Sequence, residues 1–256
     1  MPPRALAPWL TPLKTHLTSP SATTSFTLTT IAHTTHGHAV PRARTVEFRG
    51  FFPTLSLHPS GIKSLKEQNI GLNPDIYESE MIAVTTDVRM EKVGELGSSG
   101  GVVEGMFWLA EVGEQWRVKG KGFVLGGKEG EEEREVVGRG LRLKEGGKEK
   151  EKEEGEWTWE RQVDMYFANH SPAMRGTFKN PPPGTPRSQD PGNPQLKLGQ
   201  KVEDLRDEVA RANFRVLVIR PEEVERLDLQ DPENVTRTRW TAGRDGEDWE
   251  EAELWP

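Results

Sequence analysis

Between Gln115 and Leu125 the chain alternates with a period of two. Trp116, Val118, Gly120, Gly122 and Val124 fall on one side, and Gln115, Arg117, Lys119, Lys121 and Phe123 on the other. That period belongs to a strand with one face buried and one face wetted, the usual state of an antiparallel strand. Val102 to Val112 supplies the other arm of a hairpin. Upstream, Ser25 to Ala32 is Thr-rich with Phe26, Leu28 and Ile31. A turn from Thr34 to His38 contains Gly37, and Arg44 to Phe52 runs back as the partner strand. Glu80 to Thr86 adds another strand. Phe214 to Ile219, Val224 to Leu229 and Val235 to Thr241 close the sheet, with Trp249 to Trp255 as a final edge. So many antiparallel strands predict a mainly β (α+β) fold, a barrel with a few peripheral helices.

The helices expected are short. One spans Trp9 to Leu17. A second follows Asp87 as N-cap, with Met90, Val93 and Leu96 as its apolar stripe. A third covers Glu160 to Ala168, and a fourth carries Val202, Leu205, Val209 and Ala212. Pro53 to Tyr77 reads as a long connection and residues 181–198 as a Pro-rich extended loop.

Apolar residues make up 33% of the 256, and mean hydropathy is -0.71, both low for a compact chain of this length. The deficit is concentrated between Lys128 and Glu154, where nearly every residue is Glu, Lys, Arg or Gly. Residues 126–155 therefore read as a charged, solvated insertion unable to bury enough surface to order itself, with at most a brief strand over Glu135 to Leu143. Elsewhere the eight Trp and the apolar strands supply one core, so residues 1–256 are expected to form one domain.

A net charge of -7 argues against a nucleic-acid partner. No apolar run approaches the ~20 residues needed to span a bilayer, and Met1 to Leu10 is too short and Pro-rich for a signal-peptide apolar region. The absence of Cys removes disulfides, thiol catalysis and thiolate metal sites, so a cytoplasmic location is expected. His33, His36 and His38 straddle a turn without acidic neighbours at ligand spacing, and no metal site is expected.

In an acidic chain, basic clusters at the ends of elements stand out. Arg44 and Arg49 flank one strand, while Arg89 and Lys92 follow Asp87 into a helix whose dipole favours anions. Together they suit a phosphate, which needs fixed cations and free amides. Arg44 and Arg49 are five positions apart, so strict alternation sends them to opposite faces unless a twist or bulge near Gly50 intervenes. Gln115 opens a strand with an amide that both donates and accepts.

At these residues the sequence resembles the pyridoxamine 5'-phosphate oxidase-like FMN-binding proteins, in a divergent branch. Arg44-Thr45-Val46-Glu47-Phe48-Arg49 stands where that family has a strand contacting the flavin phosphate. Thr85, Thr86 and Lys92 match its next strand and helix, with Arg89 as an added phosphate ligand. Gln115 matches a flavin-edge Gln, and Arg239 a late Arg near the ring system. Trp249 and Leu254-Trp255-Pro256 match its closing segment, while Asn169 to Gly184 and Asn213 to Val216 look characteristic of the branch. The resemblance implies an FMN-binding split β-barrel that forms a homodimer, with the flavins in clefts shared between subunits and a small-molecule substrate. Arg49 replaces a Lys of the oxidase, Leu227 a Trp, and no Arg-x-His element matches near Arg237. FMN binding is therefore expected and an oxidoreductase activity implied, with the substrate and catalytic residues unassigned. A non-catalytic flavin-binding protein or a flavin-free interaction protein on the same fold is the alternative.

Overall fold

The computed structural model describes residues 6–18, 24–127, 130–243 and 248–256. Residues 1–5, with half of the opening segment considered above, and residues 128–129 of the charged insertion lie outside them. Helix α1 (Leu10–Leu17) leads into β1 (Ser25–His33), β2 (Ala39–Glu47), α2 (Pro59–Glu67), β3 (Tyr77–Glu78), β4 (Ile82–Asp87) and α3 (Glu91–Ser98). Then come β5 (Val102–Leu109), β6 (Glu114–Leu125), α4 (Glu131–Arg139), β7 (Arg142–Leu143), α5 (Gly147–Glu154), α6 (Trp159–Ala168) and α7 (Pro172–Gly176). A 3-10 turn at Thr177–Lys179, α8 (Glu208–Asn213), β8 (Phe214–Asp228), β9 (Thr236–Ala242) and β10 (Trp249–Leu254) complete the chain.

The main sheet runs β10-β9-β8-β6-β5-β1-β2, with β4 paired to β8, and its pairings are antiparallel. Beyond β2 the backbone reaches β4: Arg49 N donates to Ala83 O at 2.8 Å, and Ala83 N to Gly50 O at 3.0 Å. That link and the isolated bridge Phe51–Ile82 stop short of a full ladder. The sheet is a split barrel.

Two apolar clusters explain the sequence pattern. Leu28, Phe107, Trp116, Ile82, Val84 and Leu217 fill the barrel, where α1 inserts Leu10, Leu13 and Leu17. Met81, Ala83, Val216 and Val218 face outward onto Val163, Tyr166 and Phe167 of α6. β4 and β8 are thus buried on both faces over these stretches, which is why they read as continuous apolar runs, not alternating ones.

Several expectations are corrected. The two strands expected at Phe214 to Ile219 and Val224 to Leu229 are one, β8, running through Pro221. Pro lacks a ladder N–H, and the register shifts between Lys119 and Gly120 opposite it. Residues 44–52 are not one strand, because β2 ends at Glu47. The 53–77 connection contains α2, opened by Pro59 at a favourable first-turn position with His58 accepting from Ser60 N. Met90 holds the N-cap position of α3, without a side-chain cap bond, in place of Asp87. The helix expected through Val202 to Ala212 forms only over Glu208–Asn213.

The charged insertion carries helices α4 and α5 where an unordered segment with a brief strand was expected. Val137 is buried there, and Arg142 pairs with Glu80 at 2.5 Å. One buried apolar side chain and a buried ion pair tie down residues whose composition looks fully solvated. Among the described residues no helix is long and apolar enough to cross a membrane.

At the bulge, a Cβ added to Gly120 would lie 2.0 Å from the Arg220 carbonyl oxygen. Gly120→Ala should therefore cost about 1–3 kcal/mol, read as a lower urea midpoint with an unchanged slope. An unchanged midpoint would mean that the two strands separate freely at this point.

Candidate functional site

A cleft of about 900 Å³ opens where β2, β4 and α3 come together under the segment 170–198. Its floor is made by Thr45, Val46, Arg49, Thr85, Thr86 and Lys92. β4 delivers Thr85 and Thr86 because its apolar residues lock the strand between the two cores. Arg49 arrives from the turn after β2, which swings across to β4.

The electrostatics of the floor are unbalanced. Asp87, 4% exposed, is fully engaged by Arg89, whose Nε lies 2.9 Å and Nη2 2.6 Å from the two carboxylate oxygens. Glu47 accepts from the hydroxyls of Thr24 and Ser25. Among the described residues neither Arg49 nor Lys92 has a carboxylate at ion-pair distance. The Nε of Arg49 is buried without a hydrogen-bond partner. Burial lowers the affinity of the Arg49 guanidinium for its proton, with Glu47 opposing. Lys92 is 7% exposed, with Nζ 3.0 Å from Thr86 Oγ1 and 2.8 Å from Met90 Sδ. Desolvation, then the Arg44 charge, lower its pKa from 10.5 to about 8 against the pull of Asp87 and Glu95.

A half-buried guanidinium, a buried ammonium and the Thr86 hydroxyl facing one cleft make a donor set for an anion with several acceptor oxygens, such as a phosphate monoester. Above the floor the wall turns apolar, with Met174, Phe178, Pro181, Pro182 and Leu196. That wall suits a flat ring system attached to the phosphate. The residues present fit a phosphorylated flavin.

Sequence reasoning placed Thr45, Val46, Arg49, Thr85, Thr86 and Lys92 here, and the structure brings them together. It sends four others elsewhere. Arg44 does not line the cleft, because its guanidinium is drawn to Glu95 of α3. Its Nη2 lies 2.7 Å from Glu95, and Nη1 reaches the Thr30 hydroxyl and, at 2.8 Å, the Arg42 carbonyl. Burial pushes the Glu95 carboxyl up, but hydrogen bonds from Thr30 and Arg44 outweigh it and hold the group low. Arg44 thus clamps α3 to β1 and β2 and sets where Lys92 points.

Arg89 serves the wall. Besides Asp87, it donates to Asn180 O at 2.9 Å and Phe178 O at 3.3 Å. Gln115 and Arg239 lie on the outer face of the sheet, in the rows Trp108–Gln115–Leu227 and Thr45–Thr27–Met106–Arg117–Glu225–Arg239. Five strand spacings separate Thr45 from Arg239, about 24 Å along the sheet.

The sequence reading missed the far wall. His170 donates from Nδ1 to Tyr166 O at 2.8 Å, and its Nε2 sits 3.0 Å from Thr85 Oγ1. Arg175, 2% exposed, rivets this segment by donating to Val202 O and His170 O, each at 2.8 Å. The run Asn169 to Gly184 contained the signal as a segment characteristic of the branch, but no role followed from it for His170 or Arg175.

Residues 6–126 match the family model described as pyridoxamine 5'-phosphate oxidase, FMN-binding domain. A pyridoxamine 5'-phosphate oxidase-related, FMN-binding protein from Nostoc punctiforme PCC 73102 has a similar fold, with a TM-score of 0.61 at 18% identity over 98% of this chain and 99% of that one. PhzG from Burkholderia lata 383, solved with tetrahydrophenazine-1-carboxylic acid, overlaps with a TM-score of 0.47 at 17% identity over 97% of this chain and 89% of that one. No curated protein matches the chain by sequence.

The Lys92 environment predicts a trade-off between stability and binding. Folding costs the ammonium its water below pH 8, whereas the unfolded chain keeps the proton up to 10.5. The destabilisation is full below about pH 8 and fades as pH rises towards 10.5. Lys92→Met should raise the thermal midpoint of ligand-free protein at pH 7 and lose that advantage near pH 10.5. A lower midpoint at pH 7 would mean that the ammonium is already neutralised.

Proposed function

We propose that the chain, whose residues 6–126 match the model of a pyridoxamine 5'-phosphate oxidase FMN-binding domain, binds FMN and is an FMN-dependent oxidoreductase acting on a small molecule. The observation that carries this reading is the pair of carboxylate-free cations at the cleft floor, half-buried Arg49 and buried Lys92. Arg49 and Lys92, with the Thr86 hydroxyl, hold the phosphate. The Phe178 and Pro181 wall covers the ring. Bound FMN supplies two-electron redox chemistry, while the protein contributes orientation, charge and shelter from water.

The active form is a homodimer in which a second copy lays the outer face of its sheet against the cleft. On that face Trp108 is 50% exposed, Leu227 and Gln115 are its neighbours, and Arg239 makes no ion pair among the described residues. An exposed Trp and an unpaired Arg on one face of the sheet fit the composition of interface centres. Gln115 and Arg239 then meet the flavin of the partner, which reconciles the family motif with their distance from the cleft of their own subunit.

Purified protein should be yellow, release FMN on denaturation and run at twice the chain mass in light scattering. Arg49→Ala and Lys92→Ala should each weaken FMN binding roughly ten- to a hundredfold, the range for one charge-assisted hydrogen bond. Bleaching of the bound flavin by an amine, alcohol or nicotinamide donor without air tests the oxidoreductase assignment. A flavoprotein that no such donor reduces would be a binding protein instead.

A further inference from the structure

His170 has no part in the phosphate site, yet its ring lies behind the cleft wall with both nitrogens committed. The Tyr166 carbonyl can only accept, so Nδ1 must carry a hydrogen. In the neutral ring Nε2 is then a bare acceptor, and the hydroxyl of Thr85 must donate to it. The Thr85 hydroxyl has one hydrogen. With that hydrogen turned to His170, its oxygen offers the cleft lone pairs alone.

We infer that His170 fixes the hydrogen-bond polarity of Thr85, so that this wall binds a hydroxyl group of the ligand and rejects a bare acceptor. Arg49 lines the same cleft and only donates. A group able to donate to Thr85 and accept from Arg49 is a hydroxyl, as in a polyol chain joining a ring to a phosphate. The site thereby distinguishes a phosphorylated polyol from a phosphorylated alkyl chain of equal length. The inference rests on the FMN reading, whose ribityl chain is such a polyol.

The surroundings keep the ring neutral. Arg49 from the turn after β2 and Arg175 from α7 are the charges acting on it, and the rings of Phe178 and Phe214 cover its edges. Burial first, then Arg49, lower its pKa to about 4. Protonation would reverse the bond, with Nε2–H donating to Thr85 and the hydroxyl hydrogen freed, but neutral conditions do not reach that state.

Flavin-fluorescence quenching would compare FMN with an analogue whose ribityl chain is an unhydroxylated alkyl phosphate. The wild type should prefer FMN roughly tenfold or more. Thr85→Val should abolish most of that preference, and Thr85→Ser should restore it. His170→Phe should reduce it while leaving Thr85 in place. A Thr85→Val protein with the full wild-type preference overturns the inference. Should that variant fail to fold, nitrogen NMR of ring-labelled wild type still decides: the Nδ1–H tautomer supports the inference, and the Nε2–H tautomer overturns it. A wild type that binds neither flavin, whatever the tautomer, overturns the FMN reading and this inference with it.

Discussion

The ladder between β4 and β8 is the interaction on which the rest depends. Ile82, Val84, Leu217 and Ile219 turn into the barrel, while Met81, Ala83, Val216 and Val218 turn out towards α6. A strand with no wet face cannot slip by one residue without exchanging two cores, so its register is set twice over. The end of that strand, Thr85-Thr86-Asp87, is consequently placed with the precision of the core. The cleft inherits its floor from packing that has nothing to do with a ligand.

Ion pairing then decides which cations remain for function. Four basic residues surround this corner. Asp87 holds Arg89, and Glu95 holds Arg44 at 2.7 Å. These pairs bind the far wall and α3 to the barrel. The carboxylates are used up by the structural arginines, and Arg49 and Lys92 keep an uncompensated charge. An excess of buried charge costs stability, and it persists only where something else supplies the opposite sign. The difference between Arg44 and Arg49 lies in placement, not in chemistry: Arg44 sits on β2 above Glu95, and Arg49 on the turn that crosses to β4.

Much of the architecture was legible because it follows from local period: β1, the β5–β6 hairpin, α1 and α6 lie where strand composition, alternation and helical spacing put them. Floor residues such as Arg49, Thr86 and Lys92 were legible because short motifs sit at the ends of those elements. What escaped depended on distant partners. Pro221 reads as a strand break, and only the facing Gly120 lets β8 run on past it. Gly-Lys-Glu composition hides α4 because the anchor, Val137, is one side chain in a polar run. For Arg44 the sequence shows a cation near a phosphate-like motif and cannot show Glu95 beneath it. His170 lay within the singled-out run Asn169 to Gly184, but its role could not be read there because it needs Thr85, brought beside it by the fold from 85 residues away.

The two walls of the cleft have different origins along the chain. The cationic floor belongs entirely to the segment that matches the family model, which ends at residue 126. The apolar wall, His170 and the Pro-rich strap lie beyond it. A phosphate has the same charge and shape in every phosphorylated ligand, so its site calls for fixed groups on rigid strands. The wall above that floor is built from turns and prolines held by carbonyl contacts to Arg89 and Arg175. Such a wall can be recut without disturbing the barrel, since its anchors are backbone carbonyls and any side chain leaves those in place. One cleft thus joins a cationic floor fixed by the barrel to an apolar wall from residues 170–198 that is fixed by its own backbone anchors.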